Sequence, residues 1–203
     1  MSGSQVIFGG MLKDSMVNKL SASGILYYDY YKREETVIAN AYATAQGVIK
    51  LILNESKKML SESEILITGY GRTGKAISKQ LKALNANITV SVRNYRDIAL
   101  LHAEGIKAIF YDEIITVGKT FDFVINTVPS LVINKDIIDS FNDKAFLIEI
   151  ASAPYGFDVN YIHEKNLTFI LASSLPGKAV PISAGRILGR SIEHIIKEEN
   201  LFI

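Results

Sequence analysis

Gly69-Tyr70-Gly71-Arg72-Thr73-Gly74 follows an apolar run, Ile65-Leu66-Ile67-Thr68, and leads into a segment of helical character from Thr73 to Leu84. Each glycine has a separate duty in such a strand-turn-helix. Gly69 permits the tight turn, Gly71 lets backbone reach a pyrophosphate, and Gly74 lets helix and strand pack closely. The start of the helix offers unpaired N–H groups and the positive end of its dipole to phosphate oxygens. Glycine-rich turns are common, so the pattern alone is weak. Its position between a strand and a helix makes it a dinucleotide-binding signature.

Outward from that turn the chain alternates strand and helix. Strands are expected at 87–92, 108–110, 123–126, 146–150 and 167–170. Helical segments are expected at 95–104, 135–141, 159–165 and 184–197, with a polar stretch at 112–120. Near-continuous apolar strands between helices indicate a parallel sheet covered on both faces. The fold class is therefore α/β, a Rossmann-type doubly wound parallel sheet spanning residues 60–203. Before it, Val6 to Gly10 and Ile25 to Tyr28 read as strands, with a helix from Met11 to Leu20 between them. A long helix is expected over 34–59, where Val37, Ala41, Ala45, Val48, Ile49, Ile52 and Leu53 recur at three- and four-residue steps. Gly47 inside it costs about 1 kcal/mol against alanine unless close packing requires it. Residues 1–59 read as the remnant of a second α/β domain plus a connecting helix.

The second strand selects the dinucleotide. Sites that prefer NAD usually end this strand in an acid, which accepts from the adenosine ribose hydroxyls. Here it ends in Arg93-Asn94-Tyr95-Arg96, with Arg93 lying 19 positions after Gly74. A guanidinium there suits a 2′-phosphate through charge-assisted bonds, so NADP is the expected cofactor. The expected cofactor residues are Gly69, Gly71, Arg72, Thr73, Gly74, Arg93, Asn94 and Arg96, joined at the next strand end by Asn126, Thr127 and Pro129. Beyond them, Glu149 to Pro154 ends the fifth strand with Ser152 in its loop. The sequence Ser174 to Gly185 follows the sixth, a stiff loop bearing Pro176, Lys178 and Pro181. Lys178 offers a cation to an acidic ligand.

Composition narrows the function further. The 203 residues are 48% hydrophobic with a formal net charge of +1, and no basic block points to nucleic acid or an anionic membrane. Cysteine is absent, which removes disulfides and thiolate metal sites and fits a cytoplasmic protein. No uninterrupted apolar run reaches the roughly 18–20 residues of a membrane span. Met1-Ser2-Gly3-Ser4 lacks the basic and apolar regions of a signal peptide. His102, His163 and His194 fall on helical or turn segments and are expected at the surface or in packing. No metal-ligand spacing, nucleophile elbow or phosphate-binding lysine loop is present, and no acid–base group stands out.

Four phrases together resemble the A-subunit family of dipicolinate synthase: Gly69 to Ala76, Ile125 to Val132, Ile150 to Asp158 and Leu175 to Gly185. The early segment Arg33 to Gly47, with Asn40, is similar to that family as well. The resemblance covers nearly the whole chain. It implies an NADP-linked dehydrogenase of spore-forming bacteria, acting in the mother-cell cytoplasm. With a flavoprotein-like B subunit, the enzyme would oxidise a dihydro- or hydroxytetrahydrodipicolinate to dipicolinate. The implied small dicarboxylate substrate would meet Ser152, Lys178, Pro181 and Asn40, with Arg72 as a further cation. The chain departs from the family in lacking a longer N-terminal region, in Glu149 where relatives tend to aspartate, and in Tyr155 where they tend to glycine.

Two other readings stand beside it. One is a relative of the 2-hydroxyacid or methylenetetrahydrofolate dehydrogenases, against which the missing strand-end histidine and glutamate count. The other is a non-catalytic NAD(P)-sensing module built on the same fold. A homo-oligomer formed through the apolar surface of the long helix is a further expectation.

Overall fold

The computed structural model describes residues 5–201, so Met1-Ser2-Gly3-Ser4 lies outside the described residues. The chain opens with β1 (Val6–Gly9), α1 (Asp14–Ala22) and β2 (Leu26–Asp29), a small parallel pair of strands joined by a helix. After a 3-10 turn comes α2 (Glu34–Glu55). The main unit then runs β3 (Glu64–Thr68), α3 (Arg72–Ala83), β4 (Asn87–Val92), α4 (Tyr95–Ala103), β5 (Lys107–Phe110) and α5 (Ile114–Val117). It continues with β6 (Phe123–Asn126), α6 (Lys135–Ser140), β7 (Phe146–Glu149), α7 (Val159–Glu164) and β8 (Thr168–Leu171). Two helices, α8 (Leu175–Ala179) and α9 (Pro181–Glu198), close the chain.

β3 to β8 form one parallel sheet in the order β5-β4-β3-β6-β7-β8. Chain order reverses between β3 and β6, and in open sheets of this kind ligands bind outside the carboxyl ends of the strands at such a point. Side chains alternate between the two faces, as a strand period of two requires. Ile65 and Ile67 enter one core with Ile77 and Leu81 of α3. Leu66 enters the other, with Val124, Leu147, Ile137 and Ile162.

Helix α2 belongs to the first of these cores. Ala41, Ala45, Val48, Ile49 and Ile52 are buried there beside Ile65, Ile77 and Leu81. Gly47 is explained by packing, because a β-carbon on it would sit 2.7 Å from the Leu175 side chain. The helix ends at Glu55 rather than near Met59, where Ser56 turns the chain and its hydroxyl accepts from the Lys58 N–H. By length and composition its 22 residues are apolar enough to cross a membrane, although polar residues interrupt the run. In the fold its apolar stripe is spent on α3, α8 and the sheet.

Two further expectations are corrected. The stretch at 112–120 holds a helical turn, α5, and a 3-10 turn, anchored by the fully buried Ile114. The loop expected after β8 is largely helical. Pro176 and Pro181 open α8 and α9 from within their first turns, where a missing N–H leaves no partner wanting.

Candidate dinucleotide site

The glycine turn links the end of β3 to α3. Gly69 has φ +89°, a conformation that a side chain rarely tolerates. A β-carbon on Gly69 would also crowd the Thr127 hydroxyl at 2.7 Å and the Val128 methyl at 2.6 Å. On Gly74 it would collide with the Gly69 carbonyl oxygen. On Gly71 it would meet nothing within 4 Å, so this backbone is open to a ligand at the start of α3. Tight turn, open cradle and close packing fall on Gly69, Gly71 and Gly74, in the order the sequence assigns them.

Around this turn lies a crevice of about 630 Å³ bounded by the carboxyl ends of β3, β4, β5 and β6. That size suits an organic ligand. Gly69 and Gly71 line it with Arg93, Asn94 and Arg96 from the end of β4, and Thr127 and Pro129 from the end of β6. Lys75, Tyr111, Asp97 and Ser130, which the motifs did not single out, line it too. Lys75 was legible in principle. It follows Gly74 directly and stands four positions after Gly71, on the same helical face. Its ammonium lies 5.2 Å from the Tyr70 ring centre.

Three cations, Lys75, Arg93 and Arg96, therefore face one acid. That acid, Asp97, is already engaged. Its N–H donates to the Asn94 side chain at 2.8 Å, while the Asn94 amide donates to its carboxylate at 2.8 Å. Asn94 thereby caps α4. Burial raises the Tyr111 phenol above its ordinary pKa, with nearby Arg93 opposing and Asp97 adding. Tyr70 is raised as well, first by burial and then by donating to Glu104 at 2.7 Å.

Several expected residues have other engagements. The Arg72 guanidinium leaves the crevice and donates to Glu34 of α2 at 2.9 Å. Thr73 sits in the first turn of α3, outside the crevice lining. Asn126 is fully buried and faces into the sheet. Its oxygen accepts from the Thr68 hydroxyl at 2.6 Å and its amide donates to Glu149. The four expected substrate residues do not line the crevice. Lys178 lines a separate groove with Lys50 and Leu51 of α2 and Leu171 of β8. Asn40 lies on α2, Pro181 opens α9, and Ser152 is exposed on the loop after β7. On that same loop Tyr155 has φ +68°, which gives a backbone reason for glycine at this position.

The histidines stand apart from the crevice lining. His102 is on α4, the His163 ring packs edge-on against Phe169, and His194 lies 3.9 Å from Glu35. Among the described residues no cluster of histidine and acid side chains is arranged to hold a metal.

The chain is 29% identical over 193 residues to the A subunit of dipicolinate synthase from Bacillus subtilis (strain 168), spanning 95% of this chain and 65% of that protein. The crystal structure of the B. subtilis protein matches with a TM-score of 0.87, over 95% of this chain and 65% of that one. The corresponding dipicolinate synthase structure from Bacillus halodurans has the same fold, with a TM-score of 0.87 at 24% identity over 94% of this chain and 66% of its own. The resemblance and the fold class expected from the sequence are thus borne out, while the chain spans under two thirds of the relatives' length. Residues 39–155 match the NAD binding domain of the D-isomer specific 2-hydroxyacid dehydrogenases, and the chain belongs to that family.

Proposed function

We propose that this chain is the NADP-binding part of an oxidoreductase of the dipicolinate synthase type. The enzyme would oxidise dihydrodipicolinate or hydroxytetrahydrodipicolinate to dipicolinate. The observation that carries the cofactor reading is the convergence of Arg93, Arg96 and Lys75 on one crevice with the glycine turn. Arg93 stands where an NAD site would carry an acid. The open backbone at Gly71 and the first turn of α3 would hold the pyrophosphate. Arg93 and Arg96 would take the 2′-phosphate through charge-assisted bonds. Thr127 to Ser130 would wall the nicotinamide side, and the nicotinamide, when bound, supplies a hydride acceptor.

The 29% identity over 95% of the chain supports the dipicolinate reading and, with it, a dicarboxylate substrate and a flavoprotein-like second subunit. The same likeness supports work in the mother-cell cytoplasm of a spore former. Ser152, Lys178, Pro181 and Asn40 are proposed to act on the substrate side, outside the crevice. The family match at residues 39–155 favours a second reading, a 2-hydroxyacid as substrate. Offering both substrate classes with each dinucleotide and following absorbance of the reduced cofactor separates the two.

The cofactor assignment is tested by titrating the chain and its Arg93→Ala variant with NADP and NAD. NADP is expected to bind more tightly, and the variant to lose about 1.5–3 kcal/mol of that preference, the scale of a hydrogen bond to a charged group. Equal binding of both dinucleotides by the parent chain would refute the choice of NADP. Binding of neither would refute the dinucleotide reading.

A further inference from the structure

We infer that Glu149 is a positioning residue for the crevice, one that lines no part of it yet fixes the two strand-end loops behind its nicotinamide-side wall. The inference rests on the dinucleotide reading above. Glu149 closes β7, pairs in register with Asn126 at the end of β6, and is completely buried. Its carboxylate Oε1 accepts from the Asn126 amide at 2.7 Å and the Ala151 N–H at 2.9 Å. Oε2 accepts from the same amide at 2.9 Å, the Gly156 N–H at 2.8 Å and the Phe157 N–H at 3.3 Å. An acceptor-only group thus gathers donors from both ends of the loop after β7.

Asn126 carries the restraint to the other loop. Its Nδ2 donates to the Val128 carbonyl at 2.9 Å, and its Oδ1 accepts from the Val128 N–H at 3.1 Å and the Thr68 hydroxyl at 2.6 Å. Val128 lines the crevice. The loops are also tied directly, since the Gly156 carbonyl accepts from the N–H groups of Val132 and Ile133. A side chain at Gly156 would overlap the Asn126 amide, so the glycine belongs to the same device. Thr68, Asn126 and Glu149 form a buried polar row across three adjacent strands, and Ser91 extends it onto a fourth with a hydroxyl that has no partner among the described residues.

Polar groups buried this deep are costly unless paired, and Thr68, Asn126 and Glu149 pair with one another. An apolar row would hold the sheet together as well. What the polar row adds is a fixed geometry for Thr127 to Ser130, at the end of the crevice away from Arg93.

The test compares two probes in the chain and in Glu149→Gln and Asn126→Ala. One probe is NADPH; the other is 2′-phospho-ADP-ribose, which lacks the nicotinamide. Glu149→Gln turns an N–H₂ group toward backbone donors, whereas Asn126→Ala leaves the three backbone bonds of the carboxylate in place. Folding of each variant is checked by its cooperative melt. A positioning role predicts that both variants keep the fragment affinity within about twofold while NADPH affinity falls about tenfold, or 1.4 kcal/mol. A merely structural role would weaken both probes alike or neither, and either result overturns the inference. It also falls if neither variant folds, or if the parent chain binds the fragment as tightly as NADPH. A parent chain that binds neither probe sinks the dinucleotide reading itself.

Discussion

Gly74 stands so close to Gly69 that a β-carbon on it would overlap the Gly69 carbonyl oxygen. Backbone faces backbone here, so no flexible side chain can yield. Gly74→Ala is expected to destabilise the chain by about 1–3 kcal/mol, the range for forced overpacking. The turn must open to relieve the contact, so dinucleotide affinity is expected to fall as well. Urea unfolding beside an NADP titration checks both effects. An alanine variant with unchanged midpoint and affinity would show that the turn is not held by this contact.

Arg72 occupies the variable position between Gly71 and Thr73, yet its guanidinium binds Glu34 on α2 at 2.9 Å with both side chains more than half exposed. Exposed pairs of this kind contribute about 0.2–1 kcal/mol. Arg72→Ala is therefore expected to lower stability within that range and to leave NADP affinity within about twofold, in contrast to Arg93→Ala. A tenfold loss of affinity in Arg72→Ala would mean that the arginine leaves Glu34 for the ligand.

Ile52 tests whether α2 is part of the dinucleotide-binding core. It is fully buried among residues of β3 and α3, whereas its neighbour Leu53 is 56% exposed. Ile52→Ala is expected to cost about 2–5 kcal/mol, through lost burial and the cavity left behind. Leu53→Ala is expected to stay within about 0.5 kcal/mol. Chemical denaturation of the two variants gives the comparison, and equal midpoints would detach α2 from the core.

The contrast between these residues explains what the sequence could reveal. Strand and helix order was legible because Ile65-Leu66-Ile67 and its counterparts are apolar on both faces of a covered sheet, and helices carry a different period. The glycine turn was legible because its three glycines meet three separate steric demands. Side-chain direction was not. Arg72 and Arg93 read alike as cations beside the motif, and only the placement of Glu34 on α2 draws one of them away. Asn126 read as a ligand contact because it is polar at a strand end. Its amide is claimed by Glu149, the neighbour across the strand pair that comes 23 residues later in the chain. Helix α8 and the first turn of α9 read as loop because proline stiffens a loop and starts a helix with the same fixed φ, whereas the rest of α9 was legible.

Lys178 gives the last separation between motif and place. The sequence puts it in the Leu175 to Gly185 phrase, after a strand whose end faces the ligand side of the sheet. In the structure it lies on α8, in a groove that it shares with Lys50 and Leu51 of α2. That groove is bounded by α2, β8 and α8, and β7 and β6 stand between β8 and the strand carrying the glycine turn. Charge this far from the crevice, exposed and screened by salt, contributes little to binding there. Lys178→Ala is accordingly expected to give an NADP titration that superimposes on that of the parent chain at physiological ionic strength. If NADP affinity instead drops tenfold, the groove and the crevice act on one ligand, and the placement of α8 against α2 must change when it binds.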